Sequence, residues 1–137
     1  MNGRMSLKKD QIKILVIEDE PDTAEMIAEM MRISGYKAVM YDSSTTVLER
    51  LKHERPSVVI MDVMMPELSG LEVLRRMRLM VEFQTLPVIV VSALSLATDI
   101  QEGFEAGATL YLTKPVSYVD LKQAVEQVTS SVGNNPE

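Results

Sequence analysis

The sequence predicts an α/β fold, a doubly wound parallel sheet built from five βα units, and two observations carry the prediction. Short apolar runs rich in Ile and Val alternate with amphipathic stretches, the pattern of strands covered on both faces by their connecting helices. Four of the runs also end in polar groups: Ile14 to Ile17 in Glu18 and Asp19, Val58 to Met61 in Asp62, Val88 to Val91 in Ser92, and Leu110 to Leu112 in Thr113 and Lys114. Open α/β sheets place their sites outside the carboxyl ends of their strands, so neighbouring strands would bring these groups to one mouth.

The first strand is expected over Ile12 to Ile17, continuous in apolarity as both-face burial requires. Pro21 suits the first turn of the following helix, where its missing N–H costs nothing. Met26, Ile27, Met30 and Met31 give that helix a core stripe, and Gly35 can take the left-handed conformation that ends it near Ser34. Lys37 to Tyr41 reads as a second strand, less apolar and therefore an edge, and Val47, Leu48 and Leu51 mark a second helix that stops before Pro56. Val58 to Met61 is the third strand, and Pro66 and Gly70 punctuate the loop before a helix from about Leu71 to Met80. Pro87 opens the fourth strand. Ile100 and Phe104, four apart, mark a fourth helix capped by Gly107, and a short fifth strand runs through Tyr111. Leu121, Ala124, Val125 and Val128 face the core from a fifth helix.

A chain of 137 residues, 46% hydrophobic and 25% charged, fits one domain with a sizeable core and no low-complexity tract. Residues 1–11 are expected as a leader, 12–129 as the domain, and the polar SSVGNNPE stretch, 130–137, as a flexible tail or the start of a linker. With no cysteine, disulfides and thiolate zinc sites are excluded, and a cytoplasmic location is the default. No apolar stretch approaches a membrane span, and the opening MNGRMSLKKDQ lacks a signal-peptide core. A net charge of −6 and scattered basic residues argue against direct nucleic-acid binding, and Arg75, Arg76 and Arg78 read as the solvated face of the third helix. His53 reads as a solvated helix-end residue. The methionines read as adaptable core filling, Met64 and Met65 excepted by location.

Carboxylates crowded together raise their own proton affinity unless a cation sits among them, so Glu18, Asp19 and Asp62 ask for a metal. An all-oxygen donor set favours a hard cation, and few carboxylates with room for water and phosphate suit Mg²⁺, which Mn²⁺ could replace. Lys114 adds a mobile positive charge and Ser92 a hydroxyl for a tetrahedral anion. Together they describe a phosphoryl clamp, with Asp62 as the carboxylate able to accept the group.

The segments ILVIEDEPD, VVIMDVMMPELSGLEVL, PVIVVSAL and EAGATLYLTKP, spanning about Ile12 to Val128, resemble the receiver domain of the response-regulator family of two-component signalling. The resemblance implies a flavodoxin-like (βα)5 fold with strand order 2-1-3-4-5. It implies Asp62 as phosphoacceptor, Asp19 as direct cation ligand, Glu18 as the acid holding metal-bound water, and the Met64 backbone carbonyl as the remaining protein ligand. Ser92 matches the switch hydroxyl, Lys114 the charge-neutralising lysine, and Tyr111 an aromatic that turns inward on activation. The Lys114-Pro115 bond is expected to be cis. The donor would be a sensor histidine kinase or histidine phosphotransfer protein, and the downstream partner would read the face made by the fourth helix, fifth strand and fifth helix. The chain would catalyse only its own phosphorylation and dephosphorylation, as a monomer or a phosphorylation-dependent dimer.

Thr109-Leu110 stand where many such domains carry two acids before the switch aromatic, and Val116 stands where an aromatic usually follows Lys-Pro. That counts against a charge-paired dimer, and Leu110 reads as a core or edge contact or as part of an apolar partner patch. Met64 and Leu94, two residues beyond the acceptor and the switch hydroxyl, are apolar and offer no group to hold a hydrolytic water, which predicts slow self-dephosphorylation. Two other readings compete: a receiver-like module that is never phosphorylated, and an aspartyl-phosphate type phosphohydrolase, whose second aspartate would stand where this chain has Met64.

Overall fold

The structure, a computed structural model, describes residues 8–133. Five strands, β1 (Lys13–Ile17), β2 (Lys37–Tyr41), β3 (Val58–Met61), β4 (Val88–Ser92) and β5 (Leu110–Thr113), alternate with α1 (Pro21–Ile33), α2 (Val47–Glu54), α3 (Gly70–Arg78), α4 (Ala97–Ala106) and α5 (Tyr118–Gly133). All strand pairs are parallel, in the order β2-β1-β3-β4-β5, with Ile14 opposite Val58, Ile60 opposite Ile89 and Ser92 opposite Thr113. The fold is the flavodoxin-like one expected, with β3 central and β2 at an edge.

The continuous apolar strands serve two cores because successive side chains point to opposite faces. Ile14 and Val16 of β1 join Val58, Ile60, Ile89 and Val91 beneath α1 and α5. Leu15 and Ile17 join Val59, Met61, Val88 and Val90 beneath α2, α3 and α4. The caps follow the sequence: Pro21 opens α1, Gly35 follows its end at φ +102°, and Arg55, at φ +49°, closes α2.

Several expectations need correction. The first strand begins at Lys13, because a 3-10 turn over Lys9–Gln11 occupies the residues before Ile12. That turn lies within the expected leader and sets Lys9 Nζ 5.6 Å from the Tyr36 ring centroid; residues 1–7 lie outside the described ones. The third helix starts at Gly70 and ends at Arg78, followed by a 3-10 turn at Val81–Phe83. Helix α5 continues to Gly133, past Thr129, and residues 134–137 lie outside the described ones.

Met26 is 43% exposed, so the inward face of α1 is made by Ala24, Ile27, Ala28 and Met31. On α4 the buried residues are Gly103 and Ala106, while Phe104 is 46% exposed, because the helix lies too close to the sheet for large side chains. Met31, Met61 and Met77 are core residues, but Met40 is exposed on the edge strand and Met65 packs partly into the α2–α3 side.

Arg78 departs most from its reading as a solvated residue. Its Nε and Nη2 donate to the Gly107 carbonyl at 3.0 and 2.8 Å and its Nη1 donates to the Phe83 carbonyl at 2.6 Å. Burial lowers its pKa from the ordinary guanidinium value. Arg75 and Arg76 are exposed and, among the described residues, pair only with Glu72.

Candidate functional site

Five of the expected site residues sit at the carboxyl ends of their strands, while Tyr111 lies within β5 and Met64 in the loop after β3. Glu18 and Asp19 follow β1, Asp62 follows β3, Ser92 ends β4, and Lys114 follows β5. Backbone bonds extend the sheet into the mouth: the Glu18 N–H donates to the Tyr41 carbonyl, the Asp62 N–H to Ile17, and the Lys114 N–H to Ser92. These residues are therefore held by the ladder itself rather than by loose loops.

Lys114 Nζ bridges two buried carboxylates, donating to Glu18 Oε1 at 2.9 Å and Asp62 Oδ2 at 2.8 Å. The remaining oxygens are also engaged: Glu18 Oε2 accepts from the Glu20 N–H and Asp62 Oδ1 from the Met64 N–H. Glu18 is 3% exposed and Asp62 6%. Burial pushes the Glu18 carboxyl above its ordinary value, only partly offset by its bonds to Lys114 and the Glu20 N–H. Burial also works against the Lys114 charge, but its two carboxylate bonds outweigh it and its pKa stands above the ordinary value.

Carboxylate oxygens of Glu18, Asp19 and Asp62 lie within 4.8 Å of one another. Three carboxylates against one ammonium leave an excess of negative charge, and every side-chain donor in the set is a hard oxygen. The residues present therefore fit a small divalent cation.

Ser92 and Tyr111 are linked by a chain of contacts through Leu94. Ser92 Oγ accepts from the Leu94 N–H at 3.2 Å, and the Leu94 carbonyl accepts from the Tyr111 hydroxyl at 2.7 Å. Burial raises the Tyr111 pKa, so the phenol is a neutral donor at pH 7. Its ring lies against Gly103, where an added Cβ would fall 2.7 Å from the Tyr111 Cδ2. The Lys114-Pro115 bond is cis. Met64 is 54% exposed, and Val116 is buried in the α1–α5 core. Leu110 packs partly against that core, and His53 is exposed at the end of α2.

Two residues that shape the site were not singled out by sequence reasoning. Gly70, read only as loop punctuation, donates its N–H to the Val63 carbonyl, and a Cβ there would lie 2.3 Å from the Asp62 carbonyl oxygen. The SG pair before an amphipathic run was its available signal. Buried Ser44 reaches the loop after β3, donating to the Pro66 carbonyl and accepting from the Leu68 N–H. It is one polar residue in a run of four, SSTT, and nothing local marks it.

A doubly wound domain thus carries an acid triad and a lysine together at its strand ends. The sequence profile of the response regulator receiver domain matches residues 14–126, and the chain belongs to that family. It is a signalling domain of two-component systems. An uncharacterized 14.6 kDa protein of Leptolyngbya boryana is 34% identical over 117 residues, covering 85% of this chain and 89% of that protein. Response regulator Rre1 of Synechocystis is 30% identical, covering 91% of this chain but 57% of the longer regulator.

Among solved structures, the signal receiver domain of a signal transduction histidine kinase from Syntrophus aciditrophicus superposes with a TM-score of 0.82 at 31% identity, covering 91% and 94% of the two chains. The chemotaxis response regulator CheY4 of Vibrio cholerae gives 0.79 at 25% identity, covering 85% and 98%. No helix among the described residues is long and apolar enough to cross a membrane.

Proposed function

We propose that this receiver accepts a phosphoryl group on Asp62 from a histidine kinase or histidine phosphotransfer protein and thereby changes its affinity for a downstream partner. The observation that carries the reading is the Lys114 bridge between Glu18 and Asp62, beside a third carboxylate within cation-sharing distance. Such a cluster is costly unless a cation sits among its carboxylates, and that cation can then neutralise an incoming phosphoryl anion.

Asp19, Asp62 and the Met64 carbonyl would hold Mg²⁺ or Mn²⁺, with Glu18 holding its water; when bound, the cation neutralises phosphoryl oxygens. Asp62 supplies the attacking oxygen. As the new P–O bond forms, the P–N bond to the donor imidazole breaks and the electron pair leaves with the imidazole. The Lys114 ammonium, already on Asp62 Oδ2, turns to the incoming phosphoryl oxygens, and the Met64 N–H keeps Asp62 Oδ1 oriented.

Ser92 then exchanges its bond from the Leu94 N–H for one to the phosphoryl group. Because the Leu94 carbonyl also holds Tyr111, that exchange is felt at β5. A shallow groove of about 260 Å³ on α4, β5 and α5, bordered by Phe104, Leu110, Tyr111 and Ala124, is a surface on which a partner could sense it.

Incubation with acetyl phosphate and Mg²⁺, followed by intact mass measurement, tests the reading. The native chain should gain one phosphoryl group and Asp62→Asn none. Gain in neither would favour a module that is never phosphorylated, and turnover of a separate small phosphate ester, such as p-nitrophenyl phosphate, above the background rate would favour a phosphohydrolase.

A further inference from the structure

The loop that carries Met64 out of β3 contains a strained turn. The Leu68 N–H donates to the Pro66 carbonyl at 2.8 Å across Glu67, whose φ is +73°. A three-residue turn with positive φ at its centre is the rarer, strained form of the γ-turn, and a non-glycine residue persists there only when its surroundings hold it.

The holding group is Ser44, on the connection between β2 and α2. The residue is buried at 4% exposure, and its Oγ donates to the Pro66 carbonyl at 3.0 Å and accepts from the Leu68 N–H at 3.1 Å. One hydroxyl thus grips both ends of the turn. Among the described residues, no other segment hydrogen-bonds to the backbone of residues 65–68. The far end of the loop is fixed separately, by the Gly70 N–H on the Val63 carbonyl.

We propose that Ser44 is a positioning residue for the cation site: by clamping the Pro66–Leu68 turn it sets the Met64 backbone, two residues upstream, in place to serve as a ligand. This rests on the function proposed above. It locates part of the site's cation affinity in a segment, residues 42–46, that supplies no ligand. Asp62 and Lys114 hold one another directly, so Ser44 should influence cation affinity rather than the rate of transfer once the site is filled.

Ser44→Ala tests this with two readouts: Mg²⁺ binding by calorimetry without phosphodonor, and amide hydrogen exchange at Leu68 in metal-free protein. The loss of two hydrogen bonds should weaken Mg²⁺ binding by about threefold to tenfold and accelerate Leu68 exchange. With acetyl phosphate, half-saturation in Mg²⁺ should rise by the same factor while the rate at saturation holds. Ser44→Ala/Glu67→Gly should recover most of the affinity, since glycine takes the positive φ without a clamp; this double variant also serves if Ser44→Ala alone folds poorly.

Unchanged Mg²⁺ affinity in Ser44→Ala, a fall only in the saturated rate, or no recovery in the double variant overturns the role given to Ser44 alone. A native chain that binds no Mg²⁺ overturns the cation reading together with it.

Discussion

Replacing Lys114 with methionine removes the one ammonium that touches both buried acids. Its two charge-assisted bonds, at 2.9 and 2.8 Å, are each worth about 1.5–3 kcal/mol. Methionine fills similar volume, so the cost is electrostatic: two carboxylates, 3% and 6% exposed, are left without the charge between them. The Lys114 side chain is 23% exposed, and Glu18, already raised by burial, can relieve the repulsion by taking a proton. A net loss of about 3 kcal/mol at pH 7 without metal follows, at the lower end for breaking a buried pair. For a domain of this size that is a fall in Tm of roughly 10 °C.

The same reasoning fixes two dependences. Because Glu18 is raised, its ionised form is unfavourable in the fold; the gap between variant and native chain should narrow as pH falls toward that raised pKa, since the variant's Glu18, without its ammonium partner, takes up a proton first. Lys114 is also raised, so its contribution in the native chain is complete below its ordinary value and is lost only in alkali, as pH rises through the raised one. Adding Mg²⁺ supplies positive charge to the same acids and should stabilise the variant more than the native chain. Thermal melts in chelator and in Mg²⁺, near neutral pH and in mild acid, measure all of this. A variant as stable as the native chain in chelator, or a gap unmoved by Mg²⁺, would refute the electrostatic account.

Arg78→Met should cost about 2–4 kcal/mol, since it leaves the Gly107 and Phe83 carbonyls without their charged donor, and Arg78→Lys should not restore it; denaturant titration reads both. Gly70→Ala should destabilise by about 1–3 kcal/mol and impair phosphorylation by acetyl phosphate, because its Cβ would meet the Asp62 carbonyl at 2.3 Å; the melt and the mass gain check each part. Mg²⁺ affinity, followed by calorimetry, should fall as pH drops through the raised Glu18 pKa, where the proton competes with the cation. The phosphorylated native chain should keep its label well beyond seconds in Mg²⁺, and Met64→Asn should shorten that lifetime by offering a polar group at the exposed position two residues beyond Asp62.

Of the site, Glu18, Asp19, Asp62, Ser92 and Lys114 were legible as residues that end apolar runs, and the parallel sheet brings them together. That succeeded because the strand is a local signal: a continuous apolar run shows where the chain is buried on both faces, and the next polar residue must emerge at the sheet edge. Met26 was misplaced, and the inward face of α4 went unread, because apolarity at helical spacing does not show how closely a helix approaches the sheet. Helix α4 packs through Gly103 and Ala106, leaving Phe104 outward.

The sequence by itself determined the five βα units and the chemistry converging at their carboxyl ends, since both follow from periodicity and polarity within short windows. The tertiary structure alone decided that Arg78 folds back onto Gly107, that Gly70 must lack a side chain because the Asp62 carbonyl lies against it, and that Ser44 clamps a turn more than twenty residues away. A hydroxyl or a guanidinium has the same composition whether water or a distant carbonyl receives its hydrogen bond. Only the packing of one segment against another selects the partner.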